Sequence, residues 1–191
     1  MNQQLIKTFL FLAIVVTIMV IGMNKLFKVM GVDVTGLSSF KYKGGSTTKQ
    51  DWYNWITPLA KVVGAKYGIP YQAIIVQTAL ETGWGKSSLL QKYNNFGGIK
   101  ASKGDNSVPL ATKEFINGQM VTITDKFAVW KTPYEGLIGY ANFFHRYSRY
   151  APALKYPNDP YKFIEEIKKA GYATDPNYIA KLHGMLDSLK A

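Results

Sequence analysis

Two carboxylates stand where the surrounding residues disfavour a charge. Glu81 closes the run PYQAIIVQTALE, which is apolar almost all round when wound at helical periodicity and therefore reads as a helix passing through a core. Position 81 lies seven residues after Ile74 and four after Gln77, so its carboxylate shares their face, and Gly83 releases the chain directly afterwards. Partial desolvation and the negative end of the helix dipole both oppose ionisation there, which keeps a carboxyl protonated for use as a general acid. The plainer alternative is a Glu turned outward at a helix end. Glu114 is the second. Asn117-Gly118 between alternating runs predicts a two-residue hairpin, and pairing Ile116 with Gln119 sets Glu114 opposite Val121, on one face with Ile116 and Ile123. An acid on a largely apolar sheet face is either a second working carboxylate or an edge charge that deters aggregation. The chemistry such a pair could do is acid-base hydrolysis.

Other chemistries lose their parts. There is no cysteine, which removes thiol nucleophiles, Cys-containing zinc sites and iron-sulfur clusters. His145 and His183 are far apart and lie in no His-rich frame, so neither a metal centre nor a Ser-His-Asp triad has support. Gly85-Lys86-Ser87 resembles the tail of a phosphate loop, but Leu80 occupies the place of the glycine that loop requires. No cofactor and no metal are expected.

The elements that must position the two acids follow from periodicity. The 191 residues are 47% apolar and 18% charged, enough for one sizeable core with a small appendage. A first helix begins near Asp51, with Trp52, Trp55, Ile56, Leu59, Val62 and Val63 at helical spacing and Gly68 as its stop, and Pro70 opens the helix that carries Glu81. After the hairpin, TPYEGLIGYANFFHRY, PYKFIEEIKKAGY and DPNYIAKLHGMLDSLK each start at or near a proline and read as helices, so the domain is mainly α with one small sheet.

Ahead of this domain, the uncharged run from Thr8 to Asn24 lies between Lys7 and Lys25 and is 17 residues long, the short end of a membrane span. The stretch that follows lacks a small-x-small cleavage site, which favours an uncleaved anchor over a signal peptide. Residues 31–50 are rich in Gly, Ser, Thr and Lys and read as a flexible tether. The expected organisation is an anchor over 1–30, a linker over 31–50 and a folded domain over 51–191. The net charge of +11 comes from both parts: six lysines against Asp33 before residue 51, and seventeen Lys and Arg against eleven acids after it. Such a field favours polyanions, namely nucleic acid, anionic lipid or a carboxylate- and phosphate-bearing cell wall. With only two arginines and no aromatic nucleic-acid motif, nucleic acid is not the expected partner.

Four ordered stretches carry a family resemblance. The segments ALETGWGKS (79–87) and NNFGGIKA (94–101), the hairpin, and AGYATDPNY (170–178) resemble the peptidoglycan-cleaving endo-β-N-acetylglucosaminidases of glycoside hydrolase family 73, which include autolysins, flagellar wall-boring domains and phage lysins. The resemblance covers roughly 51–189. It implies a lysozyme-like fold, helical with a small hairpin lobe across a groove, that cuts β-1,4 bonds between N-acetylglucosamine and N-acetylmuramic acid. It implies Glu81 as proton donor, Glu114 as second acid and Tyr172 as a tyrosine that orients or stabilises the reacting sugar. Trp84, Asn95, Phe96, Lys100, Phe127, Trp130 and Tyr178 become the expected substrate-binding side chains, with Ile99 also in the groove-floor motif. This chain departs from the family pattern by placing Gly97 where a Phe is usual, with Phe96 one position earlier, and by reading Phe127-Ala128-Val129-Trp130 where Phe-Arg-x-Tyr is usual. The expected partners are peptidoglycan strands and, through residues 8–24, a lipid bilayer; the oligomeric state is not written in the sequence. The location implied is a membrane, with the domain on the wall side, either of a cell or of a lipid-containing virion. A muramidase, a lytic transglycosylase and a non-catalytic wall-binding protein are the alternatives.

Overall fold

The computed structural model describes residues 48–116 and 119–189, with backbone alone over 113–116. The expected anchor and nearly all of the expected tether lie outside the described residues, and among the described residues no helix is long and apolar enough to cross a membrane. Helix α1 spans Lys49–Tyr67 and starts slightly before the expected boundary. The reason is a capping box hidden in the Ser/Thr-rich stretch: Thr48 Oγ1 accepts from the Asp51 amide at 3.1 Å, while the Asp51 carboxylate accepts from the Thr48 amide at 2.9 Å. These bonds hold the Asp51 carboxyl below its usual range.

Helix α2 (Tyr71–Thr82) buries Ala73 through Ala79 without interruption, so it runs through the core as its all-round apolarity foretells. Its stop is Gly83, at φ 58, where a left-handed residue returns two amide bonds to the last turn. A six-residue helix α3 (Ser88–Tyr93) follows, capped by the Ser87 side chain.

Strands β1 (Ser107–Ile116) and β2 (Gln119–Ala128) form a two-stranded antiparallel sheet. Its register pairs Ile116 with Gln119 and Glu114 with Val121, as the Asn-Gly signal predicts; residues 117 and 118 themselves lie outside the described set. The face that includes position 114 is covered only towards the base of the hairpin. Phe127 is buried and Ile123 and Thr112 are half-buried, whereas Val121 is 39% exposed. The base is stitched to the segment after α3 by Ala128 N donating to Ile99 O (2.9 Å) and Ala101 N donating to Lys126 O (2.8 Å).

Helices α4 (Pro133–Arg146), α5 (Pro160–Lys169) and α6 (Tyr178–Ser188) complete the wall opposite α1 and α2, close to the bounds read from the sequence. The result is a lysozyme-like architecture, mainly helical with one small hairpin lobe.

Candidate active site

Glu81 leaves the last turn of α2 and lines a cleft of about 290 Å³ together with Gly97, Ile99, Lys100, Tyr140 and Tyr172. Its side chain is reachable by solvent, so it is exposed by surface. It nevertheless lies inside a concave wall of protein, and that desolvation raises its carboxyl above the usual value. The surrounding wall governs the proton more than the local surface does, because the field of an ion reaches well beyond the first layer of atoms. The turn after Glu81 is anchored by Thr82, whose hydroxyl donates to Thr78 O and accepts from Gly85 N at 2.9 Å. Trp84 sits within that turn at φ 61, a conformation uncommon for a bulky residue.

Beneath Glu81 lies a buried polar layer. Gln77, one turn earlier on the same face and 0% exposed, accepts from the Tyr140 hydroxyl and donates from Nε2 to the Tyr178 hydroxyl at 2.8 Å. A glutamine set within the apolar stretch 73–80 was the sequence signal for this network. Burial pushes the phenols of Tyr140, Tyr172 and Tyr178 above their usual range, so all three stay neutral hydrogen-bonding groups.

Tyr172 reaches the cleft from the loop after α5. Its ring stacks on Phe144 at 5.5 Å and meets Phe143 edge-on at 6.0 Å. Lys168 holds the loop, its ammonium donating to the carbonyls of Ala173 and Asp175 at 2.7 Å each. The opposite edge of the cleft is the segment Gly97–Lys100. The Lys100 ammonium pairs with Asp125 of β2 at 2.8 Å, holding that carboxyl below its usual range.

Several side chains expected to bind substrate stand away from the cleft lining. Phe96 is 0% exposed and stacks on Trp55, so it packs beneath the floor and does not touch the cleft. Asn95, 1% exposed, is a scaffold: its Nδ2 donates to the carbonyls of Ile99 and Ala128 and its Oδ1 accepts from Ile99 N, all within 3.0 Å. Phe127 and Tyr178 are buried, Phe127 bridging to Lys100 and Tyr178 bonded to Gln77. Trp84 is half-buried and turned towards α1, edge-on to Tyr53, and is absent from the cleft lining. Four of these side chains, Asn95, Phe96, Phe127 and Tyr178, are buried and spend their surface on packing or on scaffold hydrogen bonds. Lys100, Ile99 and Tyr172 do line the cleft, and Trp130 lines an adjoining chamber. Glu114 is placed by backbone alone, two rungs of its strand face beyond the Leu110–Asp125 pair.

The departure at Gly97 has a steric meaning. A Cβ there would stand 3.4 Å from the Tyr140 ring and 3.6 Å from the Tyr172 hydroxyl, so a larger side chain would enter the space beside Glu81. Bare backbone keeps that space open. The residues that sequence reasoning missed sit on α4 and at its C-cap: Tyr140, Phe143 and Arg146 on the helix and Tyr147 just after it all line the cleft. Their i, i+3, i+6/i+7 spacing marks one helix face, but aromatic residues at that spacing read equally as core.

Comparison with known proteins agrees with this geometry. A family model described as mannosyl-glycoprotein endo-β-N-acetylglucosaminidase matches residues 57–191. A peptidoglycan hydrolase, FlgJ, of Salmonella typhimurium is 36% identical over 140 residues, 69% of this chain and 43% of that protein. The exo-glucosaminidase LytG of Bacillus subtilis is 32% identical over 134 residues, 67% of this chain and 47% of its own length. The chain thus spans less than half the length of either curated relative. The solved glycoside hydrolase domain of the Salmonella FlgJ, in a C-terminally truncated form, superposes with a TM-score of 0.61 at 30% identity, covering 75% of this chain and 98% of that one.

Proposed function

Since the chain belongs to the glucosaminidase family of glycoside hydrolases, we propose that it hydrolyses the β-1,4 bond between N-acetylglucosamine and N-acetylmuramic acid in bacterial peptidoglycan. The observation that carries this reading is Glu81, a carboxyl with a raised pKa lining an open cleft opposite a neutral tyrosine.

In the proposed step, the protonated Glu81 gives its hydrogen to the glycosidic oxygen as that oxygen leaves C1 of N-acetylglucosamine. A water attacks C1 from the opposite face, and its proton passes to the Glu114 carboxylate, which makes the reaction inverting. Solvent exchange then returns a proton to Glu81 and removes one from Glu114. Attack by the substrate's own acetamido oxygen is the rival, and it retains configuration where the water route inverts it. The Tyr172 hydroxyl orients the reacting sugar, and Lys100 borders the floor beneath it.

Residues 8–24 act in this reading as an uncleaved membrane anchor, and 31–47 as a tether that keeps the domain within reach of the wall, on the outer face of a cytoplasmic membrane or in the lipid layer of a virion that digests its way in. The basic domain adsorbs to the anionic polymer through long-range attraction.

Mass spectrometry of the fragments released from purified peptidoglycan tests the function. Fragments ending in reducing N-acetylglucosamine are expected. Reducing N-acetylmuramic acid would make the enzyme a muramidase, an anhydro end would make it a lytic transglycosylase, and an intact polymer would leave a wall-binding protein. Either of the first two, or the absence of fragments, overturns the proposal.

A further inference from the structure

A second chamber of about 340 Å³ adjoins the Glu81 cleft and shares Ile99, Phe143 and Arg146 with it. Beyond the shared residues its lining changes character, to Asp105 and Asn106 from the loop after the floor segment, Trp130, and Asn142 from the exposed side of α4. Arg146 stands at the junction. Its Nη1 donates to the Ser102 hydroxyl, while the Ser102 amide donates to the Asp105 carboxylate at 2.8 Å, so one serine steadies both charges at the chamber mouth. Among the described residues Arg146 enters no ion pair, and Asp105 enters none either. One guanidinium, one carboxylate and two amides facing a single space suit a ligand that carries both signs of charge together with amide groups.

Resting on the function proposed above, we infer that this chamber receives the peptide branch of the substrate, with Arg146 pairing to a free carboxylate of that branch and Asp105 facing its ammonium. The glycan itself supports the placement. In the bond to be cut, the leaving sugar is the one that bears the lactyl-linked peptide, so the branch must depart from the groove within one ring of Glu81. The second chamber opens at that distance, since the two spaces share three lining residues. A strand stripped by an amidase keeps its N-acetyl groups and a lactyl carboxylate close to the sugar ring, but it offers no ammonium for Asp105 and no peptide amides or peptide carboxylate that extend away from the ring towards Asn106, Asn142 and Arg146. The enzyme is therefore a reader of peptide-substituted strands and disfavours strands stripped of their branches.

The test compares the full chain and three variants, Arg146→Ala, Arg146→Lys and Asn142→Phe, on two polymers: solubilised peptide-bearing glycan, and the same glycan after an amidase has removed the peptides. The reading is the ratio of kcat/KM between the polymers. The wild type is expected to favour the peptide-bearing strand by about tenfold, in line with a partly exposed charge-assisted contact. Arg146→Ala should bring that ratio close to one, and Asn142→Phe should do so by filling the chamber. Arg146→Lys should recover part of the preference, because it keeps the charge and loses the fork. Equal rates of the wild type on both polymers overturn the inference and leave the hydrolase reading standing. So does an equal loss on both polymers in the variants, which would assign the chamber to a sugar ring. Failure of the wild type to cut either polymer would remove the hydrolase reading, and this inference with it.

Discussion

Replacing Glu81 by Gln removes one proton and changes almost nothing in size, so it isolates the role of the acid. Burial, not a neighbouring anion, is what raises this carboxyl. Proton donation to a leaving oxygen contributes about a hundred- to ten-thousandfold. The expected loss in kcat is about a thousandfold or more, or about 4 kcal/mol of barrier. Two pH signatures accompany it. In the wild type the acid form is the working form, so the rate falls as pH climbs through the raised pKa of Glu81, and this basic limb is absent from the residual activity of the variant. The stability effect has the opposite sense to that of a salt-bridged carboxylate. Between the ordinary carboxylate range and the raised value, the folded protein binds more protons at this site than the unfolded chain, so stability falls as pH rises across that window. Glu81→Gln is therefore expected to melt at the same temperature as the wild type in acid and no lower, or slightly higher, at neutral pH. Initial rates on solubilised peptidoglycan between pH 4 and 9, with thermal melts of both proteins, provide the check. A variant that turns over within tenfold of the wild type, or a wild type whose rate ignores alkaline pH, would refute the assignment.

Glu114→Gln should lower kcat by about a hundredfold or more while the basic limb set by Glu81 persists, and NMR of the first product formed by the wild type should show the inverted anomer; a retained anomer eliminates the Glu114-activated water. Asn95→Ala strands the Ile99 amide and the Ala128 carbonyl at the floor and leaves Ile99 O with Ala128 N as its remaining donor, and about 3 kcal/mol of stability should vanish in a denaturant titration; a change under about 1 kcal/mol would mean the floor holds without it. Gly139→Ala would place a Cβ 2.1 Å from the Trp130 ring, so a loss of about 2 kcal/mol with a shifted Trp fluorescence is expected, and an unchanged spectrum would contradict the contact. Adsorption to intact sacculi should weaken as salt is raised from about 0.05 to 0.5 M, because attraction through the basic field is screened; binding indifferent to salt would detach the net charge from substrate capture.

Regularly patterned parts of the chain were readable from sequence because each is governed by neighbours a few residues away. Gly68 and Gly83 end their helices, proline opens α4 and α5 in the first turn, and the Asn-Gly pair sets the hairpin register. Glu81 was readable for the same reason, since seven preceding positions of one helix define its face. The start of α1 was misplaced because Thr48 and Asp51 cap each other inside a stretch whose composition resembles a tether. What could not be read is which aromatic ring meets the cleft. Phe96, Tyr178 and Phe127 are chemically fit to hold a sugar, yet a stack on Trp55 and a hydrogen bond to Gln77 turn the first two inward, and Phe127 is buried where its backbone pairs with that of Lys100. Tyr140 and Phe143 have the same apolar spacing as core residues and line the cleft. Local pattern specifies that a face is apolar; only the assembled fold decides what lies against it.

A further consequence concerns how a strongly basic domain keeps an acid protonated. Lys100 and Arg146 both line the cleft of Glu81, and a free cation within a few ångströms would draw the carboxyl down, not up. Burial outweighs them, since desolvation alone accounts for the raised value of Glu81. The Lys100 ammonium is committed to Asp125 on the hairpin, and the Arg146 guanidinium is turned to Ser102 at the junction with the second chamber. Around Glu81 the remaining partners are phenols whose own protons are held firmly by burial. Two carboxylates are thus driven in opposite directions, Asp125 towards the ionised form by its lysine and Glu81 towards the acid form by its walls. The excess positive charge is consequently free to act at long range on the polymer without disturbing the proton that the reaction consumes. Salt should then alter capture of the wall and leave the pH limb of turnover in place, which separates the two roles of charge in a single titration series.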